Sequence, residues 1–121
     1  MDKNAAIGSL SALAQDTRLS AFRYLVSRLP EGANAGDIAR RCGVPHNTMS
    51  SHLAILERAG LAESERQGRE MIYRAEIGGF RALVQFLSRD CCGGRPEICG
   101  PVLREVAIPR SNKATREKAR G

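Results

Sequence analysis

The stretch AGDIARRCGVPHNTMSSHLAILERAGL, residues 35–61, decides the fold. Its first part predicts a short helix over about residues 36–42 that breaks at Gly43, since glycine tolerates the left-handed backbone found at helix ends. A longer helix is predicted to begin near Pro45, whose fixed φ suits a first helical turn, and to stop at Gly60. Two helices joined by a tight glycine turn form the helix-turn-helix pattern.

The second of these helices has one apolar face and one face of short polar side chains. Met49, Leu53 and Leu56 recur at helical spacing and are expected to face the core. The solvent side carries short hydrogen-bonding groups, namely Asn47, Thr48, Ser50 and Ser51. Such groups allow a helix to approach the base edges of a major groove, so this face is typical of a DNA recognition helix.

A β-hairpin is predicted directly after the helix-turn-helix. Two extended runs, residues 61–66 and 70–75, are joined around Gln67-Gly68-Arg69. Gly68 supplies the positive φ that a tight hairpin requires, and Arg66 and Arg69 flank the tip. A basic-tipped hairpin in this position is a wing, so the fold class predicted is mainly α with a β-hairpin wing, a winged helix-turn-helix.

Further amphipathic helices are predicted on both sides of this region. One covers about residues 5–14, and the next is expected to begin with Asp16 as its N-cap and to end at residues 30–32. A last helix is expected to fray at Gly93-Gly94. The apolar positions that predict these helices are Ile7, Leu10, Leu13 and Ala14, then Leu19, Phe22, Leu25, Val26 and Leu29, and finally Phe80, Leu83, Val84 and Leu87.

Length, net charge and aromatic content limit the classes of partner that this chain is expected to bind. Its 121 residues fit one domain, and the net charge of +6 suggests a polyanionic partner. Most of this charge lies in residues 110–121, which are expected to be a disordered tail. Aromatic residues make up only 4%, which argues against RNA and single strands, whose binders stack bases on aromatic rings. No apolar run predicts a membrane span or a secretory signal, so a cytoplasmic protein without a membrane partner is expected.

The run SSHLAILERAGL followed by ERQGREMIY, residues 50–61 and 65–73, resembles the ArsR/SmtB family of bacterial metal-responsive repressors. The resemblance covers about residues 5–90. It implies a homodimer whose first and last helices form the interface, and which leaves its double-stranded DNA operator when an inducer binds. It implies a DNA-binding role, and no enzymatic one, for Asn47, Thr48, Ser50, Ser51, His52, Gln67 and Arg69.

Two of these residues have a second interpretation. His52 lies at the edge of the apolar face, where it can support the helix instead of contacting DNA. Arg69 can be a solvated surface charge, as most surface arginines are.

The four cysteines indicate the inducer. Clustered thiols in a reducing cytoplasm more often bind metals or undergo redox chemistry than form structural disulfides. Cys91, Cys92 and Cys99, without histidine or carboxylate partners, make a soft donor set that disfavours tetrahedral zinc. Trivalent arsenic takes three sulfurs, so these residues predict As(III) as the inducer, with Sb(III) or methylated As(III) as further candidates. No organic cofactor is predicted.

The resemblance agrees with a site at these C-terminal thiols, which some arsenic sensors of the family carry. Asn34 and Gly36 occupy the positions where other members have a cysteine pair. Both histidines, His46 and His52, lie in the recognition segment and not on the last helix, where zinc sensors of the family place ligands.

Several alternatives remain open from the sequence. Cys91 or Cys92 can pair with Cys99 on oxidation, which would make the chain a redox-responsive repressor of the same fold, or the thiols can be incidental. A thiol enzyme or metalloid carrier is a further alternative, but no Cys–His pairing indicates catalysis. Cys42 is expected to pack as a small hydrophobe.

The predicted organisation has three parts. Residues 1–92 form a winged helix-turn-helix domain for DNA binding and dimerisation. Residues 93–109 form a cysteine-containing inducer loop, and residues 110–121 form the basic tail.

Overall fold

A computed structural model of the chain describes residues 1–91. The helices and strands in this range are, in chain order, α1 Lys3–Leu13, α2 Asp16–Ser27, β1 Ala33–Asn34, α3 Ala35–Cys42, α4 His46–Arg58, β2 Ala62–Gln67, β3 Glu70–Ala75 and α5 Ile77–Cys91. Helix α5 crosses the boundary between two units of the chain, Met1–Phe80 and the part from Arg81 onward. The contacts described below lie within the first unit. No helix among the described residues is long and apolar enough to span a membrane.

The helix-turn-helix consists of α3 and α4, as the sequence predicts. Helix α3 is capped by Asn34, whose side chain accepts a hydrogen bond from the backbone N–H of Asp37 at 2.8 Å. Gly43 ends α3 in the left-handed region at φ 71°, and Gly60 follows α4 at φ 79°. Because both glycines have positive φ, the turn and the end of α4 follow directly from their positions in the sequence.

The core forms around the apolar face of α4. Met49, Leu53 and Leu56 are fully buried, as predicted, and Leu25 of α2 and Ile38 of α3 join them in the same cluster. Burial of each such side chain contributes roughly 1.5–3 kcal/mol. The rotation of α4 is therefore set by its apolar face, and its short polar side chains lie toward solvent.

The wing is an antiparallel pair of strands, β2 and β3, in the register Ala62↔Ala75 through Gln67↔Glu70. Gly68, at φ 64°, occupies the first position of the two-residue loop, where a type II′ hairpin turn needs positive φ. The predicted fold class, mainly α with a β-hairpin wing, is thus confirmed.

Strand β1 was not expected from the sequence. Its two residues pair with β3 as Ala33↔Tyr73 and Asn34↔Ile72, which gives the order β1-β3-β2. Two residues are too few to show the alternation of a strand. The preceding Gly32, at φ 82°, lies so close to β3 that a Cβ added there would meet the carbonyl oxygen of Tyr73 at 2.5 Å.

The ends of α2 differ from the prediction. Gln15, and not Asp16, is the N-cap, because the Gln15 side chain accepts a hydrogen bond from the backbone N–H of Arg18 at 2.8 Å. Helix α2 ends at Ser27, three residues before Pro30. The local sequence could not separate two adjacent polar residues as caps, since either side chain can accept the bond.

The predicted apolar stripe of α1 faces the core of the first unit only in part, since Leu13 packs against the core cluster. Ile7 and Leu10 are 54% and 42% exposed, and the buried face consists of Ala6, Ser9 and Ala12. The hydroxyl of Ser9 donates to the carbonyl of Ala59 at 3.2 Å. Small residues therefore mediate the contact of α1 with the end of α4, while Ile7 and Leu10 remain exposed. In α2, Leu19 and Val26 are likewise exposed, whereas Phe22 and Leu25 are buried.

Gly79→Ala should destabilise the fold. The start of α5 lies against the end of α4 so closely that a Cβ on Gly79 would overlap the backbone carbonyl of Gly60. Both contacting groups belong to the backbone and cannot move without disturbing their helices. We therefore expect overpacking to lower the free energy of unfolding by about 1–3 kcal/mol, measured by thermal or urea unfolding.

Gly36→Ala is the matched control, because a Cβ there makes only an ordinary contact at 3.4 Å. This variant should unfold at or slightly above the temperature of the unaltered chain. Equal stability of the two variants would contradict the close approach of α5 to α4.

Candidate nucleic-acid interface

The outer face of α4 presents the polar side chains predicted for DNA contact. Asn47, Thr48 and Ser51 are exposed, and Ser50 is half-buried. The Ser51 hydroxyl lies 3.4 Å from the carbonyl of Asn47, one helical turn earlier. Its oxygen keeps lone pairs that can accept a hydrogen bond from a base, while the Asn47 amide can both donate and accept. This face can therefore interact with the mixed donors and acceptors of a major groove.

His52 lies at the flank of α4 and is half-buried. Its Nδ1 atom is 3.3 Å from Nη1 of Arg18 on α2. This contact gives His52 a partner within the protein, in line with the supporting interpretation. The remaining exposure of the ring leaves the DNA-contact interpretation open.

The tip of the wing carries the other predicted contacts. Gln67 and Arg69 are exposed at the end of the hairpin. The acidic neighbour Glu65 is paired with Arg74 at 2.7 Å. That pairing draws an acidic side chain of β2 toward the base of the wing, so Arg69 remains available to meet a phosphate or to enter a minor groove.

Two arginines at the end of α3 were not singled out from the sequence. Arg40 and Arg41 are exposed, and the Arg41 guanidinium lies over the Tyr24 ring at 5.3 Å from its centroid. Arg40 forms an ion pair with Asp37 one turn earlier. The first helix of a helix-turn-helix crosses the DNA backbone, so basic side chains here can contact phosphates. The adjacent pair of arginines before the turn at Gly43 was the available signal.

The cysteines lie mostly beyond this interface. Cys42 is half-buried and packs against the core cluster, as expected. Burial raises the pKa of its thiol, and the neighbouring Arg41 only partly offsets this. Cys42 is therefore protonated at neutral pH and a poor nucleophile.

The predicted inducer site falls at the edge of what the structure describes. Cys91 is the last residue of α5, while Cys92, Cys99 and the two predicted C-terminal segments lie outside the described residues. Within residues 1–91, no three His, Cys, Asp or Glu side chains form a group that could hold a metal ion. Asn34, where the family resemblance places a cysteine, caps α3 and donates from Nδ2 to Glu70 at 3.3 Å.

Comparisons with known proteins agree with this geometry. Residues 13–65 match a family model described as a helix-turn-helix domain. The chain is 28% identical over 94 residues to the transcriptional activator HlyU of Vibrio cholerae serotype O1, which covers 76% of this chain and 84% of HlyU.

Two solved structures are also similar. An ArsR-like transcriptional regulator from Rhodococcus sp. RHA1 has a TM-score of 0.66 at 27% identity, over 74% of this chain and 82% of that chain. The homodimeric winged helix-turn-helix DNA-binding domain of Mb0332 from Mycobacterium bovis, a possible ArsR-family regulator, has a TM-score of 0.58 at 27% identity, over 76% and 85%. The proteins to which the chain is similar are regulators of transcription and not enzymes.

Ser51→Ala should weaken binding to a duplex selected from a random library. Loss of one hydrogen-bonding group at a base edge costs about 1–3 kcal/mol, while random duplex should be bound almost as before. Fluorescence anisotropy measures both affinities. Ser27→Ala is the matched control, because Ser27 is an exposed helical serine whose hydroxyl also bonds a carbonyl of its own helix. Equal affinities of the two variants for the selected duplex would contradict the assignment of this face.

If Arg69 contacts phosphate, Arg69→Ala should weaken binding to the selected duplex and to random duplex by the same factor. One phosphate contact fewer lowers the slope of log K against log [salt] by about 0.9. The slope is obtained from anisotropy titrations at several salt concentrations. An unchanged affinity and slope would identify Arg69 as a solvated charge.

Proposed function

We propose that the chain is a repressor of the ArsR family of winged helix-turn-helix transcriptional regulators, to which it is similar, and that trivalent arsenic or antimony releases it from its operator. The inducer binds the thiolates of Cys91, Cys92 and Cys99. The observation that carries this proposal is the composition of the C-terminal donor set, three thiols within nine residues.

The chemistry of the donors selects the ion. Thiolates are soft ligands, which favours thiophilic ions over Mg²⁺, Ca²⁺ or Mn²⁺. Structural zinc takes four ligands, and this cluster offers three without a histidine. Trivalent arsenic bonds to three sulfurs and keeps a lone pair, so the number of ligands that it binds equals the number of thiols in the cluster. Cys42 does not belong to this set, because it packs against the core of the first unit.

The chain acts on DNA as a homodimer. Support comes from the homodimeric Mb0332 domain and from α1, which leaves Ile7 and Leu10 exposed. Two recognition helices related by a two-fold axis contact half-sites separated by about 34 Å, one turn of DNA, or by a multiple of it.

Release requires that the inducer bind the state of low DNA affinity more tightly than the DNA-bound state. A coupling free energy of about 1–3 kcal/mol lowers operator affinity roughly 5–150-fold. Cys91 is the last residue of α5, so binding of the inducer to its thiolate changes how freely the end of this helix can move. Movement of α5 changes the relative orientation of the two recognition helices if α5 takes part in the dimer interface.

Single serine variants test the proposal. Cys91→Ser, Cys92→Ser and Cys99→Ser should each bind operator like the unaltered protein, since none lies in α4 or the wing. Each should lose most of its release by arsenite, because a hydroxyl is a poor ligand for a soft ion. Operator binding is followed by anisotropy under anaerobic, reducing conditions. Cys42→Ser is the matched control and should keep full release.

The same assay separates the redox alternative. Release by an oxidant in the absence of arsenite, with no response to arsenite under strict reduction, would favour a disulfide switch. Full release of a Cys91→Ser/Cys92→Ser double variant by arsenite would refute the proposed site.

A further inference from the structure

Two side-chain hydrogen bonds hold α4 at the two edges of its buried face. At one edge, Nη1 of Arg18 lies 3.3 Å from Nδ1 of His52. At the other, the Ser64 hydroxyl of β2 donates to Oε2 of Glu57 at 2.7 Å. His52 and Glu57 are five positions apart, which places them roughly 140° from each other around the helix axis, at 3.6 residues per turn. Bonds at both edges oppose rotation of α4 in either direction.

Arg18 also binds the end of α1. Its Nε donates to the carbonyl of Ala12 at 2.7 Å, and Nη2 lies 3.5 Å from the carbonyl of Ser11. Carbonyls in the last turn of a helix lack the regular intrahelical partner; the Ser11 carbonyl accepts from the N–H of Ala14 at 3.2 Å, and Arg18 supplies the donor to Ala12. One guanidinium therefore connects α1 with the recognition helix, and its planar, rigid fork fixes both contacts together.

The chemistry of the two side chains sets the direction of the hydrogen bond between Arg18 and His52. A guanidinium has five N–H donors and no acceptor. In a hydrogen bond with Arg18, Nδ1 of His52 is therefore the acceptor. An acceptor at the δ position is what the contact needs, and asparagine supplies one in nearly the same place.

We propose that Arg18 is a positioning residue for DNA recognition: with the apolar face of α4 buried, Arg18 limits the remaining rotation of α4 relative to α1 through its contact with His52. Its effect falls on sequence-specific affinity, because rotation of α4 moves Asn47 and Ser51 relative to the base edges. A displacement of the end of α1 is transmitted to α4 along the same bridge. The inference depends on DNA binding by α4 and not on the identity of the inducer.

Four single variants of the full chain test the bridge: Arg18→Ala, Arg18→Lys, His52→Ala and His52→Asn. The quantity measured is the ratio of affinities for selected and random duplex. Arg18→Ala and His52→Ala should each lower this ratio about threefold to thirtyfold, the range of positional coupling effects. Arg18→Lys should also lower this ratio, because a compact ammonium cannot donate to the Ala12 carbonyl and to His52 in the way that a planar guanidinium does.

His52→Asn is the decisive rescue variant. It should keep a ratio close to that of the unaltered protein, because its Oδ1 can accept from Arg18. The Arg18→Ala/His52→Ala double variant should be no worse than either single variant, since both remove one interaction.

Three outcomes would overturn the inference. If Arg18→Ala lowers the affinity for both duplexes equally and makes the slope of log K against log [salt] shallower, Arg18 contacts phosphate. A lower ratio of affinities for selected and random duplex in His52→Asn would mean that the imidazole contacts a base. A lowered unfolding temperature with an unchanged ratio would mean that the bridge only stabilises the fold. If Arg18→Ala fails to fold, the comparison of His52→Ala with His52→Asn still decides.

Discussion

The burial of one face of α4 is the constraint on which the rest of the structure depends. Met49, Leu53 and Leu56 are fully buried, and truncation of one such side chain to alanine typically costs about 2–5 kcal/mol. A domain of this size has a total stability of only about 5–15 kcal/mol, so truncation of two, at about 4–10 kcal/mol together, would remove a large part of it. The same burial turns Asn47 and Ser51 outward. Folding and the DNA contact predicted for this face are thus two consequences of one helical pattern.

The wing and the recognition helix share their attachment to this core. Leu61 is fully buried between the end of α4 and the start of β2, and its carbonyl accepts a hydrogen bond from the N–H of Glu76 at 2.8 Å. Ser64 of β2 bonds to Glu57 of α4. The spacing between recognition helix and wing tip is therefore fixed by short-range contacts, so that a helix and a hairpin can engage one duplex together.

Local signals in the sequence were sufficient to predict the helix-turn-helix and the wing. Gly43, Gly60 and Gly68 each require positive φ, and this backbone requirement is visible in the sequence without any tertiary information. Apolar spacing then predicted the buried face of α4. Strand β1 escaped prediction because it has two residues and forms only by pairing with β3.

Long-range side-chain contacts could not be predicted in the same way. Arg18 and His52 are 34 positions apart, and their contact exists only because α2 packs near α4. The contact of Arg41 with Tyr24 likewise depends on the packing of α3 against α2. The exposure of Ile7 and Leu10 shows the same limit, since periodicity identifies an apolar face but not what covers it. For the inducer site, the chemistry of the thiols is the basis of the proposal.

X-ray absorption at the arsenic edge shows directly whether the three thiolates bind As(III), when the full chain is loaded with one equivalent of arsenite under anaerobic conditions. We expect a first coordination shell of three sulfur atoms at a single distance, and loss of this shell in the Cys91→Ser/Cys92→Ser double variant. Oxygen or nitrogen in the first shell of the unaltered protein, or a spectrum unchanged in the double variant, would contradict this expectation.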